Sequence, residues 1–287
     1  MTPFALLLVL TAAFFHATWN LLAKRVGDGG AVFVWMFGAF SALIYAPLAA
    51  LVLVLQRPHL GPVELTFMFG SGLLHLGYFL LLQRGYAVGD LSVVYPLARG
   101  TGPLLATAAA IILLGERPSV LAICGILLIA SGVFFITREP GGMGGSGLGK
   151  GVIYGLATGG FIAAYTLWDK QAVSILLIPP LLQDWSANVV RTVILSPLAV
   201  RRWEVVKATW SAHRMEVLGV AVLTPLSYIL VLSALVFTPV SYVAPAREIS
   251  ILIGVLMGAS LLAEGNVRQR LFAAGAMVFG ITALALG

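Results

Sequence analysis

Charged residues are scarce in this chain, and hydrophobic residues are abundant. Charged residues make up 10% and hydrophobic residues 60% of its 287 residues, whereas a soluble domain carries about 25% charged residues. So little charge cannot cover the surface of a soluble fold of this length, and we therefore expect lipid to surround most of the protein. The single cysteine, Cys124, excludes an internal disulfide.

The chain also lacks the motifs of the common enzyme and nucleotide-binding classes. It contains no HExxH, no GxSxG and no cluster of Cys and His residues with metal-ligand spacing. The segment GGSGLGKG at 144–151 approaches a phosphate-binding loop, but Gly151 stands where Ser or Thr is required. We therefore predict that the protein is not an enzyme, holds no cofactor or metal, and does not use ATP directly.

Ten apolar runs follow one another along the chain. A helix crosses the hydrocarbon core of a membrane with about 20 residues, and most of the runs reach that length. They are continuously apolar rather than alternating, which favours helices over a β-barrel. The first run lacks a basic start and contains polar residues, so we expect a mature helix rather than a signal peptide. We predict an all-α integral membrane protein of ten transmembrane helices, at residues 3–23, 31–55, 64–83, 91–114, 119–137, 151–168, 175–200, 216–236, 240–262 and 271–286.

The two halves of the chain repeat one plan. A shift of 148 residues places Arg99 on Arg247, and a Gly-rich segment separates five runs from five further runs. Because five is odd, the second half must cross the membrane in the opposite sense to the first. We predict two inverted five-helix repeats, at 1–139 and 151–287, joined by a linker at 140–150. Transporters with this architecture bind their substrate near the membrane midplane.

Each half places an arginine shortly after a proline inside an apolar run, in SVVYPLARGTGPLL at 92–105 and in SYVAPAREISILIG at 241–254. A charge at the bilayer centre costs about 3 kcal/mol or more, so it faces a partner or a polar cavity. Because proline weakens the helical hydrogen-bond ladder, we expect broken-helix elements in which Arg99 and Arg247 bind substrate. The alternative is that each arginine pairs with a carboxylate and locks two helices together.

Three segments resemble EamA-type transporters of the drug/metabolite transporter (DMT) superfamily. They are FFHATWNLLAK at 14–24, YPLARGTGPLLATAAAIILLGERPS at 95–119 and YVAPAREISILIGVLMGASLLAEG at 242–265. The resemblance implies ten helices, both termini in the cytoplasm, and export or exchange of small metabolites, often amino acids or drugs. The second copy departs from the pattern, because Ala263 and Gly265 flank Glu264, whereas Gly115 and Arg117 flank Glu116. The matched placement of these two glutamates beside turns predicts a structural role, either capping or pairing between loops.

The membrane orientation receives two opposing indications. The chain has 17 basic and 11 acidic residues, and the excess lies in short connections between runs, which does not indicate nucleic acid binding. Most of the basic residues follow odd-numbered runs, and the positive-inside rule then places both termini outside the cytoplasm. The family resemblance implies the opposite, so the sequence leaves the orientation open.

The seventh run is the most polar of the ten. Asp184, Asn188 and Arg191 are spaced i, i+4 and i+7, so they share one helical face, which we expect to point into the bundle. Two roles are open for Asp184: a proton site, or a carboxylate that neutralises Arg191. Glu248 lies beside Arg247, but adjacent helical residues do not face each other, so it need not neutralise that arginine.

A wider set of polar and aromatic residues within the runs is expected to line a substrate cavity. Three arginines inside the runs outnumber two acidic residues, which favours an anionic or zwitterionic substrate. Carboxylates and histidine are the groups that relay protons within membranes. The predicted substrate-binding residues are His16, Trp19, Asn20, Tyr78, Tyr95, Arg99, Asn188, Arg191, Tyr228, Tyr242 and Arg247. The candidates for proton coupling are Asp184, Glu248 and His75.

We interpret the chain as a secondary active transporter, an exporter or exchanger of small metabolites such as amino acids and other zwitterionic or anionic compounds. It would work by alternating access around a midplane cavity in the bacterial inner (plasma) membrane. Its expected partners are a small-molecule substrate and the lipid bilayer, and it would act as a monomer or homodimer. The alternative is a membrane-embedded enzyme acting on a lipid-linked substrate, whose polar residues would cluster at one membrane interface.

Overall fold

The computed structural model describes residues 1–26, 30–88, 91–137, 148–262 and 267–287. Within these ranges the chain is helical almost throughout and forms no strand. The first half contains α1 (Pro3–Val26), α2 (Gly30–Gln56), α3 (Pro62–Val88), α4 (Leu91–Leu113) and α5 (Val120–Thr137). The second half contains α6 (Leu148–Ser174), α7 (Pro180–Arg201), α8 (Trp203–Phe237), α9 (Val240–Ala246), α10 (Ile249–Leu262) and α11 (Val267–Leu286).

Each of the ten apolar runs of the sequence contains a helix, so the prediction of an all-α fold is confirmed for the described residues. The seventh run becomes helical only at Pro180. Among the described residues, five helices are long and apolar enough to cross a membrane: α1, α2, α3, α6 and α8. Shorter apolar helices lie at Leu97–Leu113, Val120–Phe135 and Phe272–Leu286. Exposed large apolar side chains occur along most of these helices, as expected for surfaces that lipid covers.

Helix α8 begins earlier than the sequence predicts. The segment 201–214 was expected to be a connection, but the chain is helical again from Trp203. Trp203, Val206 and Trp210 recur at helical spacing and place one apolar face toward α2. His213 has a non-helical backbone (φ −135°, ψ 30°), so residues 203–212 form a separate helix before the membrane span. We call this segment the entry helix.

The ninth run is interrupted in the middle. Arg247 and Glu248 separate α9 from α10. The backbone N–H of Glu248 donates to the carbonyl of Pro245 at 3.0 Å, and the N–H of Ser250 donates to the carbonyl of Arg247 at 3.1 Å. These bonds connect residues three apart and replace the four-residue ladder of an α-helix. The broken helix that the second proline–arginine segment predicts is therefore present.

The first proline–arginine segment behaves differently. Helix α4 runs without interruption from Leu91 to Leu113, through both Pro96 and Arg99. The expectation of a broken helix was therefore wrong for the first half. Proline removes only one N–H from the ladder, and the remaining hydrogen bonds hold this helix together.

Helices from the two halves pack against each other throughout the bundle. α1 packs against α8 and α10, and α6 packs against α3 and α4. α2 packs against α7, α5 against α11, and α4 against α9. The two halves therefore form one bundle, and a residue in its middle has neighbours from both halves.

Glycines allow α4 and α6 to approach closely. Gly155 lies against Leu97, and Gly159 lies against Thr101 and the backbone of Gly102. Small residues at four-residue spacing let two helices pack without an intervening side chain. A methyl group at position 159 would collide with the Thr101 hydroxyl.

Gly159→Ala is expected to destabilise the fold by about 1–3 kcal/mol, the usual range for overpacking a tight contact. Gly160→Ala is the matched control, because a Cβ at Gly160 meets no atom within 4 Å. Thermal unfolding of the purified protein should give a lower midpoint for Gly159→Ala than for Gly160→Ala. Equal midpoints for the two variants would contradict close packing of α4 on α6.

Candidate functional site

A histidine in the middle of the bundle is surrounded by tyrosine rings. His75 of α3 stacks on Tyr165 of α6, with ring centroids 4.2 Å apart, and makes an edge-to-face contact with Tyr228 of α8 at 5.1 Å. Tyr78 lies one turn further along α3, and its ring centroid is 5.8 Å from that of Tyr165. Three helices therefore contribute to one aromatic group, which includes three of the predicted site residues.

An aspartate on α6 anchors this group, and the sequence reasoning missed it. Asp169 is fully buried. It accepts hydrogen bonds from the Tyr228 hydroxyl at 2.6 Å and from Nε2 of Gln183 at 2.9 Å. The Tyr228 hydroxyl, which was expected to face a substrate, is therefore engaged by the protein itself.

Two sequence signals point to Asp169 in retrospect. The sixth run was predicted to end at 168, immediately before this charge, but α6 continues to Ser174. A shift of 149 residues places the Trp19-Asn20 pair on Trp168-Asp169. Asp169 adds one acidic residue to the count, and the adjacent Lys170 adds one basic residue, so the inferred excess of one positive charge stays a prediction.

An arginine reaches the same aromatic group from the break between α9 and α10. Arg247 is half-buried, and its guanidinium carbon lies 5.5 Å from the centre of the Tyr228 ring. In the described part of the chain, no carboxylate lies within ion-pair distance of this guanidinium. We call the residues His75, Tyr165, Asp169, Tyr228 and Arg247 the central cluster.

The arginine of the first half has a carboxylate partner. Nε of Arg99 lies 3.1 Å from Oε2 of Glu248, and Nη2 of Arg99 donates to the Ser250 hydroxyl at 3.4 Å. The Arg99 and Glu248 side chains are only 7% and 5% exposed. Glu248 thus faces the other half of the protein rather than its neighbour Arg247. This geometry fits the alternative in which Arg99 pairs with a carboxylate and locks two helices together. Substrate binding by Arg99 and proton coupling by Glu248, the roles predicted for them, would each require this ion pair to open.

The polar face of α7 is buried, as its spacing predicts. The Asn188 amide donates to the Asp184 carboxylate at 2.9 Å, and its oxygen accepts a hydrogen bond from Arg191. The Arg191 guanidinium lies 5.0 Å from the centre of the Phe37 ring and 5.0 Å from that of the Phe79 ring. These cation–π contacts and the bridge through Asn188 stabilise Arg191 in part, but its buried Nε has no hydrogen-bond partner among the described residues. Asp184 reaches Arg191 only through Asn188, and both roles left open for Asp184 stay predictions.

The predicted residues of α1 contact one another along that helix. His16 lies three residues before Trp19. Its ring makes an edge-to-face contact with Trp19 at 4.9 Å, and Nε1 of Trp19 is buried without a hydrogen-bond partner among the described residues. Asn20 is exposed, and its amide donates to the backbone oxygen of His16 at 2.7 Å. The Asn20 amide is therefore directed along its own helix.

One predicted tyrosine does not join the central cluster. Tyr242 lies at a helix end, where its hydroxyl accepts from the Ser119 N–H at 3.4 Å and donates to the Gly287 carbonyl at 3.3 Å. Those contacts hold it near the chain terminus. The side chain of Tyr95 lies outside the described residues.

A glutamate between α4 and α5 caps α9. Glu116 accepts the backbone N–H of Val240 at 2.7 Å and that of Ser241 at 2.8 Å. A carboxylate at a helix N-terminus satisfies N–H groups that have no partner within the helix. The predicted structural role of Glu116 is confirmed, while Glu264 lies outside the described residues.

The central cluster brings a guanidinium, a buried carboxylate and several ring faces to one place. A guanidinium binds carboxylates and phosphates, and ring faces attract cationic groups. Among the described residues, no group of three or more His, Cys, Asp or Glu side chains could hold a metal ion. The arrangement is therefore suited to binding a small polar molecule between the two halves.

The apolar helices and the buried polar centre define the class of the protein: an integral, multi-pass, helical membrane protein. Residues 3–138 match the model of the EamA-like transporter family. This match covers the first half of the chain, and the matched family is one of membrane transporters within the DMT superfamily. The resemblance found in the sequence segments at 14–24 and 95–119 is thereby confirmed.

Comparison with solved structures supports the same fold. One crystal structure, described only as that of a protein, has 16% sequence identity to this chain and a TM-score of 0.75. The match covers 98% of each chain. At this identity the likeness shows the fold alone. No curated protein matches the sequence.

Proposed function

We propose that the protein is a secondary active transporter that exports or exchanges small zwitterionic or anionic metabolites, such as amino acids. The observation that carries the proposal is the position of Arg247. This arginine lies at a helix break, against the Tyr228 ring, with no carboxylate within ion-pair distance among the described residues. A carboxylate or phosphate of a substrate would neutralise the charge of Arg247 and accept two hydrogen bonds from its guanidinium.

The pattern of helix contacts supports an inverted repeat. The counterparts in the two halves are α1 and α6, α2 and α7, α3 and α8, α4 and the interrupted α9–α10, and α5 and α11. If each helix is exchanged for its counterpart, the contact of α1 with α8 becomes that of α6 with α3. The contact of α4 with α6 becomes that of α10 with α1, and that of α3 with α7 becomes that of α8 with α2. The pairs α2–α7, α5–α11 and α4–α9 exchange with themselves. A two-fold relation between the halves produces this pattern, and a transporter site would then lie near the midplane.

The proposal of an anionic or zwitterionic substrate depends on which buried charges have partners, and not on how many charges there are. Arg99 is paired with Glu248 and Arg191 is linked to Asp184 through Asn188. Asp169 is held by hydrogen bonds from neutral groups. The anionic part of a substrate would therefore meet Arg247. The ammonium group of a zwitterion would meet the tyrosine faces beside Asp169.

The break between α9 and α10 is a suitable hinge for alternating access. Transport requires an element with two arrangements that the substrate biases differently. The Arg99–Glu248 pair ties the hinge to α4 of the opposite half. We infer that binding at Arg247 and opening of this pair are coupled steps. Glu248 would then be free to accept a proton, and Asp184 and His75 are the other coupling candidates.

The location of the polar groups favours transport over membrane-embedded catalysis. An enzyme acting on a lipid-linked substrate would gather its polar residues at one interface, whereas the central cluster lies among helices of both halves. The bacterial inner membrane is the setting that we propose, with the protein acting as a monomer or homodimer.

Counterflow into liposomes tests this function. Vesicles containing the purified protein are loaded with an unlabelled amino acid, dicarboxylate or organic cation, and entry of the same labelled compound is measured. We expect a zwitterionic or anionic compound to accumulate above the level of protein-free vesicles. Accumulation of lipophilic cations alone would contradict the substrate class. Absence of counterflow with all three classes would contradict transport.

A further inference from the structure

A groove lies on the outside of the bundle between α2 and the entry helix. Its volume is about 320 Å³, at the lower end of the range of about 300–1,000 Å³ for ligand sites. Its lining is apolar and rich in tryptophan, with Trp35 from α2 and Trp203 and Trp210 from the entry helix. Lys207 is the charged residue among the described residues that line it. The chain has six tryptophans, so half of them line this groove.

The aromatic walls of the groove are held in place by defined contacts. Phe40 of α2 stacks on Trp210, with ring centroids 4.8 Å apart and planes 14° from parallel. Trp35 makes an edge-to-face contact with Trp203 at 6.4 Å. The indole N–H of Trp35 donates to the Ser196 hydroxyl of α7 at 3.0 Å. These contacts leave Trp203 about half exposed, at 47%, beside the groove.

The entry helix is amphipathic, and basic residues flank it on both sides. The segment 201–214 carries four basic residues, of which Lys207 lines the groove, and one acidic residue, Glu204. All five of these side chains are exposed. Lys207 and Glu204 form an ion pair at 3.1 Å, with the side chains 60% and 86% exposed. An exposed pair of this kind contributes little to stability, so Lys207 can exchange its partner readily.

The composition of this segment is typical of the boundary between lipid chains and headgroups. Tryptophan is enriched at membrane interfaces, and a basic amphipathic helix lies in the plane of the interface with its apolar face toward the acyl chains. The kink at His213 separates the entry helix from the membrane span. At such a boundary the apolar groove would lie at the level of acyl chains, and the basic residues would lie at the level of phosphates.

We propose that this groove binds an anionic phospholipid. One acyl chain occupies the space between α2 and the entry helix, and the headgroup phosphate contacts Lys207 and the neighbouring Arg201 and Arg202. The net positive charge of the segment complements an anionic headgroup, because basic residues near a membrane surface attract anionic lipids. The same charge disfavours a second copy of the chain as the occupant. A two-fold dimer through this face would bring two basic segments together.

Tryptophan fluorescence in nanodiscs tests the proposal. The full-length protein is placed in phosphatidylcholine discs that contain a small and increasing fraction of phosphatidylglycerol with brominated acyl chains, since bromine quenches nearby indoles. We expect saturable quenching at a low fraction of the anionic lipid. Trp203→Phe and Trp210→Phe should each reduce the saturable component. Lys207→Gln should raise the fraction needed for half quenching by about fivefold, the effect of one basic residue.

The matched control removes an exposed lysine elsewhere. Lys24→Gln changes the net charge equally at the end of α1, and its quenching curve should match that of the unchanged protein. Arg202→Gln provides a second exposed charge removal in the proposed headgroup site. Brominated phosphatidylcholine that quenches equally well at the same fraction would overturn the proposal. So would equal curves for Lys207→Gln and Lys24→Gln, or a purified dimer whose groove tryptophans are shielded from both lipids.

Discussion

Arg247→Ala is expected to weaken substrate binding about 10- to 100-fold and to reduce transport strongly, while the folded protein remains in the membrane. Removing a charged hydrogen-bonding group weakens an interaction by about 1.5–3 kcal/mol, or roughly 10- to 100-fold in affinity. Among the described residues, no carboxylate pairs with Arg247. The substitution therefore leaves every buried carboxylate with its existing partner. The measurement is the rise in unfolding temperature with a compound that supports counterflow, since a ligand of the folded state stabilises it by mass action.

Two further variants make the Arg247 result specific. Arg25→Ala removes an exposed arginine from the end of α1 and should leave ligand stabilisation and uptake unchanged. Arg247→Lys keeps the charge but loses the planar fork that binds a carboxylate through two hydrogen bonds, so we expect intermediate affinity. Uptake by Arg247→Ala at the rate of the unchanged protein would rule out Arg247 as the anion-binding group.

The second large effect is expected at the buried ion pair, where Arg99→Ala should lower the free energy of unfolding by about 3–5 kcal/mol. The reason is that Glu248, at 5% exposure, would keep its charge without a partner. Arg247→Ala leaves no such charge, and its loss of stability should be much smaller. The measurement is the unfolding midpoint of the purified variants without ligand.

A double variant separates loss of the pair from loss of the arginine. Replacing Arg99 and Glu248 together with leucine removes both charges, so we expect stability to recover in part relative to Arg99→Ala. Purely additive losses would show that the two side chains are not coupled and would contradict the ion pair. A stability loss for Arg247→Ala as large as that for Arg99→Ala would contradict the different roles assigned to the two arginines.

Sequence reasoning succeeded where the relevant geometry is local. The shared face of Asp184, Asn188 and Arg191 follows from helical spacing alone, and all three side chains are buried on α7. The capping role of Glu116 follows from its position beside a turn. Helix limits are local as well, because lipid forces every backbone group in a span to bond within its own helix.

Sequence reasoning failed where two distant segments had to be brought together. Matched positions of Arg99 and Arg247 suggested equal roles, yet Arg99 pairs with Glu248 and Arg247 contacts the Tyr228 ring. Asp169 was overlooked because a charge beside an apolar run normally marks the run's end. Its burial depends on Tyr228 and Gln183, which belong to other helices.

Composition and periodicity alone predicted an all-helical membrane protein and the positions of most of its helices. These properties depend on hydropathy and on hydrogen bonds between residues four apart, and both can be read along the chain. The choice of partner for each buried charge, the central cluster and the tryptophan groove became visible only in the folded bundle. Those features depend on which helices pack together, and packing joins residues that are far apart in sequence.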